Sequence, residues 1–398
     1  MFMTMFFSAW TVLHLYVFWR LASIPFVVQR VSRKFLVVTA AILWASFLLR
    51  RFMDNEGMAT LARPLELFGM NWLGTLFLVF CCLLVVDVIT VFGLVLRRHG
   101  PALRGVALVA GIVLAAVAFA QGLRPPVVHD YEVRLADLPV EDDGLVIAVI
   151  SDLHVGRFLD GEWLAARIEQ VRALQPDLVI MLGDLFEGDS QSERQVGMTD
   201  ILRALSPPYG VWAVTGNHES HGGRDASVRF LEDAGVHVLR NEWIEVRPGL
   251  VIGGVEDGGH QESSTGSADR VRQVLASKPL GAAAVFLSHR PQMFDEAASA
   301  GVGLMLCGHT HGGQIWPFSY VVGLMNPLLA GRYEMGGMPV IVSRGTGTWG
   351  PRMRLWAPGE ILRITMHPLL TNVESNASYG LNSRVHTKAR QGRGACSE

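Results

Sequence analysis

The chain has 398 residues, 50% of them apolar and only 18% charged, with a net charge of −2. The near-neutral balance excludes a globally basic, nucleic-acid-binding surface, and the length fits about two or three domains. A mean hydropathy of +0.31 is high for a soluble protein and places part of the chain in lipid.

The apolar excess lies at the front. Four stretches, Phe2–Trp19, Phe35–Leu49, Met70–Leu96 and Gly105–Leu123, approach the span of about 20 apolar residues that a membrane-crossing helix needs, Phe35–Leu49 being the shortest. Residues 1–123 therefore read as a transmembrane region of about four helices. A signal peptide does not fit, because no basic segment precedes the first stretch and further apolar stretches follow it. Arg20, Arg30, Arg33 and Lys34 in the first connector, and Arg97, Arg98 and Arg104 in the third, stand against Arg50, Arg51 and Arg63 in the second. The positive-inside rule then puts everything after residue 123 on the extracytoplasmic side, provided Phe35–Leu49 spans. His14 and Asp87 fall inside these stretches, where an ionisable group is either functional or a bundle-packing partner.

Arg124-Pro125-Pro126 ends the last helix. Residues 124–144 read as a linker leading into a domain over 145–368, and the polar residues 369–398 as a disordered tail. The domain alternates apolar runs (Leu145–Ile150, Leu178–Leu182, Val211–Thr215, Leu250–Gly253, Ala284–Ser288, Gly303–Leu306, Val340–Ser343) with helical periodicity. That is an α/β pattern with strands buried on both faces. Asp160 is placed to cap a helix presenting Leu164, Ile168 and Val171, Asp225 to cap one running through Asp233, and Pro291 to open one ending near Gly301.

Five of these strands run directly into polar clusters: Ser151-Asp152-Leu153-His154, Gly183-Asp184, Gly216-Asn217-His218-Glu219, His289 and Gly308-His309-Thr310-His311. Ligands in open α/β sheets gather outside the carboxyl ends of the strands, so the clusters belong on one rim. Asp152, His154, Asp184, Asn217, His289, His309 and His311 supply nitrogen and oxygen donors with no thiolate. They are too many for one tetrahedral ion and suited to two ions sharing a carboxylate. Such donors accept Mn, Fe, Zn or Co.

In this order the clusters resemble the calcineurin-like metallophosphoesterases, over roughly residues 145–345. The His311-Gly312-Gly313-Gln314-Ile315 run and the later Gly345-Thr346-Gly347 with Pro351-Arg352-Met353-Arg354 resemble the membrane-associated branch that contains YkuE-type phosphoesterases. The resemblance implies a layered β-sandwich flanked by helices. It implies one divalent metal on Asp152, His154, Asp184 and His311, and a second on Asp184, Asn217, His289 and His309, with Asp184 bridging. It implies in-line attack by a metal-bridging hydroxide, with His218 protonating the leaving oxygen. The expected protein is thus an integral membrane phosphoesterase, a phosphodiester being the favoured substrate, with a lipid- or envelope-linked phosphoester as partner and no nucleic acid. The alternative is a four-helix transporter or sensor whose esterase domain is regulatory or inactive.

Other residues stay open between roles. Glu219 orients His218 or is an exposed acid. Arg157, Arg290, Arg352 and Arg354 grip phosphate or form surface ion pairs. His221 and His260 sit in glycine-rich loops and Cys307 reads as a buried small residue. With Cys81, Cys82 and Cys396 elsewhere, no cysteine spacing indicates a disulfide or metal site, and neither the oligomeric state nor the redox compartment is legible.

Overall fold

The computed structural model describes residues 2–55, 59–156, 158–187, 197–259 and 264–369. The tail expected to be disordered lies, from residue 370, outside the described residues, as do Arg157 and His260.

Helices α1 (Phe2–Leu21), α2 (Pro25–Val28), α3 (Arg33–Asn55), α4 (Ala59–Ile89) and α5 (Gly100–Gly122) come first. Among the described residues, two segments are long and apolar enough to cross a membrane: Arg63–Ile89, with mean hydropathy 2.5, and Gly100–Gly122, with 2.3. Their outer faces expose Val85, Val88 and Ile89 on α4 and Val106, Val109, Ile112 and Val113 on α5. The expected stretch Met70–Leu96 is helical only to Ile89. The β-branched run through Val91 resists continuation, and Val91, Phe92 and Leu96 turn to positive φ (48°, 55° and 53°). The two helices approach closely at Gly111, where a Cβ would stand 2.7 Å from the Val79 Cα.

Asp87 is fully buried and paired with Arg20 at 2.5 Å and Arg104 at 3.3 Å, so that α1, α4 and α5 meet at one charge. Tyr16 donates to the same carboxylate. His14 faces the Trp10 carbonyl at 2.9 Å and accepts from the Trp72 indole at 3.0 Å. Both groups thus act as ties inside the bundle.

The rest is two six-stranded sheets. The strands are β1 (Val127–Leu135), β2 (Leu145–Ile150), β3 (Leu178–Met181), β4 (Val211–Ala213), β5 (Val236–Val238), β6 (Glu242–Arg247), β7 (Leu250–Gly254), β8 (Ala283–Ser288), β9 (Leu304–Cys307), β10 (Gly331–Met335), β11 (Met338–Val342) and β12 (Glu360–Pro368). One sheet has the order β1-β12-β2-β3-β4-β5 and the other β10-β11-β9-β8-β7-β6. The segment expected as linker over 124–144 therefore carries an edge strand. β1 pairs in parallel with β12 from Val127↔Glu360 to Leu135↔Pro368, and its exposed positions read as polar because one side faces water.

The sheets pack face to face over Ile147, Val149, Ile180, Ile252, Val285, Leu306 and Ile364, all fully buried. Helices cover both outer faces, giving an αββα sandwich. α6 (Gly161–Arg172), α7 (Met198–Arg203) and α9 (Arg224–Asp233) cover the first sheet, where Leu164, Ile168, Leu202 and Leu231 are buried, and the short α8 (Asn217–Gly222) follows β4. α10 (Ser264–Ala276) and α11 (Phe294–Ser299) lie on the second sheet. A last helix, α12 (Phe318–Met325), follows the His-Thr-His turn.

Asp160 caps α6, accepting from the Trp163 N–H at 3.1 Å. Two other expected helix starts are corrected. The cap of α9 is Gly223, with Asp225 inside the first turn and paired to Arg240. α11 starts after Met293 at positive φ, so Pro291 stands ahead of the helix.

Candidate metal centre

The parallel strands β2, β3, β4, β8 and β9 end at the same edge of the sandwich, and each hands its next residues to one site. Asp152, His154, Asp184 and His289 are at most 3% exposed, and Asn217 and His311 at most 7%. Burying so many polar groups is costly unless something pairs them. The backbone is strained to aim them: Asp152, His154, Asp184, His309 and His311 all take positive φ, between 48° and 72°. Two glycines make room. A Cβ at Gly216 would stand 2.2 Å from Asp184 Oδ1, and one at Gly308 2.0 Å from Ser151 Oγ.

The donor atoms fall into two groups joined by one oxygen. In the first, His154 Nε2 faces His311 Nε2 at 3.1 Å, His311 Nε2 lies 3.5 Å from Asp152 Oδ1, and His154 Nε2 lies 4.0 Å from Asp184 Oδ2. In the second, His289 Nε2 lies 3.2 Å from both Asp184 Oδ2 and His309 Nδ1. Ligands held about 2.1 Å from one ion stand about 3.0–3.5 Å from each other, so both groups have nearly the spacing of a coordination sphere. Asp152, His154 and His311 form one cluster able to hold an ion, and Asp184, His289 and His309 another. The outer nitrogens differ: those of His154 and His311, both Nδ1, are buried with no hydrogen-bond partner among the described residues. His289 Nδ1 donates to the Leu182 carbonyl at 2.7 Å, which presents Nε2 to the site.

Electrostatics separate the histidines. Burial pushes His154 and His309 down to about 3 and His311 well below its ordinary value, so all three present lone pairs at neutral pH. For Asp184, burial acts upward, but the positive charge on His289 outweighs it and holds the carboxyl well below the usual range. Burial likewise lowers His289, yet Asp184 overrides it and raises the imidazole to about 10. Burial, with Asp184 nearby, lifts Asp152 to about 7. The residues therefore fit a pair of divalent cations, whose charge would compensate the crowded carboxylates.

His218 sits at the start of α8. Its backbone N–H donates to Asp184 Oδ1 at 2.8 Å, and its half-buried ring stands 4.7 Å from that of His154. Glu187 shares a cluster with His154 and His218, a neighbour that the sequence did not suggest.

Glu219 is corrected from the exposed-acid alternative. It is 2% exposed and accepts from the backbone N–H groups of Gly216 at 2.7 Å, Asp184 at 2.9 Å, Leu185 at 2.7 Å and Phe186 at 3.2 Å. One carboxylate clamps the loops after β3 and β4. A Glu two residues after Asn217, at the third position of a short helix, is the capping-box signal that could have found it.

Arg354 is likewise no phosphate grip. It is 2% exposed and donates to the carbonyls of Arg344, Gly345, Gly347 and Ala357, pinning the 344–357 loop. Arg352 donates its backbone N–H to Asn71 Oδ1 of α4 at 3.0 Å. Arg290 pairs with Asp257 at 2.6 Å beside His289. Cys307 is fully buried at the end of β9.

Comparison with known proteins agrees with this geometry. Residues 145–313 match the family described as calcineurin-like phosphoesterase. An uncharacterized metallophosphoesterase of Aquifex aeolicus is 32% identical over 245 residues, covering 60% of this chain and 91% of the relative. A Danio rerio protein named transmembrane protein with metallophosphoesterase domain is 28% identical over 364 residues, covering 86% of this chain and 82% of its own. The Bacillus subtilis metallophosphoesterase YkuE is 27% identical over 276 residues, covering 65% and 93%. With its sandwich fold and paired His/Asp donor groups, the chain belongs to the calcineurin-like metallophosphoesterase family. It is a phosphoester hydrolase of a class that uses two metal ions.

Proposed function

We propose that the protein is a membrane-anchored phosphodiesterase in which Asp152, His154, Asp184 and His311 hold one divalent ion and Asp184, Asn217, His289 and His309 hold the other. The observation that carries this reading is the position of Asp184 Oδ2, within 3.2 Å of His289 Nε2 and 4.0 Å of His154 Nε2, where it faces both groups. When bound, the two ions lower the pKa of water and neutralise phosphoryl charge.

The chain's own residues do the rest. The strained turns at Asp152 and His309 fix the donors before substrate arrives, so little reorganisation is needed on binding. His218, with its ring at the edge of the site and its backbone tied to Asp184, donates a proton to the departing oxygen and removes the charge that would develop there. Trp349 lies 6.0 Å from the His218 ring and is 45% exposed, offering an apolar flank to an organic group on the leaving side. An esterified phosphate with groups on both sides uses that flank better than a monoester does.

The apolar outer faces of α4 and α5 support anchoring in a bilayer, and the arginine bias of the connectors favours the extracytoplasmic side for the catalytic domain. The test is turnover by the purified full chain on a panel of phosphomonoesters and phosphodiesters, before and after chelation and with Mn, Fe, Zn or Co restored. Diester hydrolysis lost on chelation and regained with metal is expected, and no turnover on any substrate with two ions bound would end the proposal.

A further inference from the structure

From Gly312 to Gly331 the chain carries no charged residue, and this run begins directly after the metal-facing His311. It includes Trp316 and α12, whose sequence is FSYVVGLM. Only Val322 of that helix is buried. Leu324 is 87% exposed, Met325 71% and Tyr320 69%. Trp316 and Trp356 stand out beside it with ring centroids 5.0 Å apart. Apolar side chains gathered this way on a water-facing surface mark a contact with something else.

The patch is continuous with the apolar helices. The Phe318 ring meets Phe77 of α4 edge-on at 5.8 Å. Ile315, Met353 and Leu355 bury themselves with Leu78, Ala115 and Ala118 of α4 and α5. The Trp356 N–H donates to Gln121 Oε1 at the end of α5 at 3.0 Å. Phe77 stands seven residues beyond Met70, about two helical turns into the apolar run, so α12 packs against the flank of that run.

The patch is also coupled to the site. A Cβ on Gly313 would fall 2.2 Å from the Ser319 Cα, so α12 rests directly on the turn after His311. Gln314 donates to the carbonyls of Trp349 and Pro351, and Trp349 faces His218.

We propose that α12, with Trp316 and Trp356, inserts into the headgroup–acyl boundary of the same bilayer that α4 and α5 cross, so that the metal rim opens at the lipid surface onto a phosphoester borne by a lipid. The inference rests on the membrane-spanning reading of those helices. Short apolar helices flanked by tryptophan and tyrosine favour that boundary, where their rings satisfy both phases.

The full chain is reconstituted in vesicles of phosphatidylcholine and phosphatidylglycerol and offered one nitrophenyl phosphodiester in two forms, on a diacylglycerol anchor and free in water. Leu324→Glu with Met325→Glu is expected to lower kcat/KM on the anchored form by about tenfold or more, with turnover of the soluble form within about twofold. Leu280→Glu, at a leucine 92% exposed beside Lys278, is the control and leaves both unchanged. A nitroxide on Leu324→Cys, with Cys81, Cys82 and Cys396 replaced by alanine, is expected to collide more with oxygen than with an aqueous nickel chelate.

Equal effects on the two substrate forms, or a label freely reached by the nickel chelate in protein that carbonate does not strip from the vesicles, overturn the insertion alone. Release of the chain by carbonate overturns the spanning reading and the insertion with it. A dimer that the double variant splits assigns the patch to a second copy and also ends the proposal.

Discussion

The backbone N–H of Asp184 donates to the Glu219 carboxylate at 2.9 Å, while the carboxylate of Asp184 accepts from the N–H of His218 at 2.8 Å. Asp184 and His218 are therefore held by one reciprocal clamp between the β3 and β4 loops. Removing the carboxylate in Glu219→Ala strands buried N–H groups at Gly216, Leu185 and Phe186 as well. Each unsatisfied group costs about 1–3 kcal/mol, so a loss of about 3 kcal/mol or more is expected, seen as a lower Tm. Glu219→Gln keeps the shape but turns an N–H donor towards other donors. It is expected to keep the fold and lower metal occupancy and kcat together by about tenfold or more. Wild-type Tm and turnover in both variants would remove the clamp from the mechanism.

His218 is tied to the site through its backbone while its ring stays at the rim, 4.0 Å from Asp184 Oδ2. His218→Ala should therefore retain both ions yet slow hydrolysis by about 10²–10⁴-fold for alkyl leaving groups, which need a proton. For nitrophenyl leaving groups, which depart as stable anions, the loss should shrink to about tenfold or less. A loss independent of leaving-group pKa would point to binding in place of proton donation.

The rim was legible before any coordinates because each donor cluster follows an apolar run within a residue or two, and strand ends in a parallel sheet converge. Asp152, Asp184 and His309 needed only that rule. Glu219 and Arg354 escaped it because their partners are backbone groups, four N–H donors for one and four carbonyls for the other, brought in from loops that no pattern connects. β1 escaped because an edge strand wetted on one side alternates irregularly, as Val-Val-His-Asp-Tyr-Glu-Val-Arg-Leu does. Hydropathy located the front helices but misplaced the end of α4 by treating Thr90–Leu96 as one more apolar run, where β-branching and positive φ stop the helix.

The two donor groups should load with different pH profiles. In the metal-free protein the raised His289 favours the folded state fully below its ordinary value of 6.5, and that contribution is lost as pH rises through about 10. An ion that takes His289 Nε2 must displace this proton, so its affinity should climb about tenfold per pH unit towards about 10. In the other group burial already keeps His154 and His311 neutral, and Asp152 alone, raised to about 7, must lose a proton. Affinity there should rise to about pH 7 and then level. Competition with a chelator across this range, read as ions bound per chain, separates the two. Parallel profiles for both ions would count against the assignment of Asp152 and His289 to separate groups. Asp184→Asn, which weakens both groups at once, should drop occupancy of both ions rather than one.

Asp87 tests whether the front helices transport or merely anchor. Its carboxylate is fully buried between Arg20 and Arg104, themselves 4% and 8% exposed, and each of these two pairs joins a different helix to α4. Asp87→Asn leaves two buried guanidinium groups without a counter-charge, so a destabilisation of about 3–5 kcal/mol is expected in detergent or bilayer. Below the lowered unfolding temperature, turnover of a soluble phosphodiester should stay within about twofold of wild type, because nothing in the cluster touches the rim. Asp87→Leu combined with Arg20→Leu and Arg104→Met removes all three charges and should recover much of the lost stability, as replacement of buried ion networks by apolar groups often does. Recovered stability with hydrolysis intact and flux through vesicles unchanged in that triple variant identifies the cluster as a tie between helices. A defect in ion or solute flux through vesicles, with hydrolysis intact, would instead give the bundle a transport function of its own.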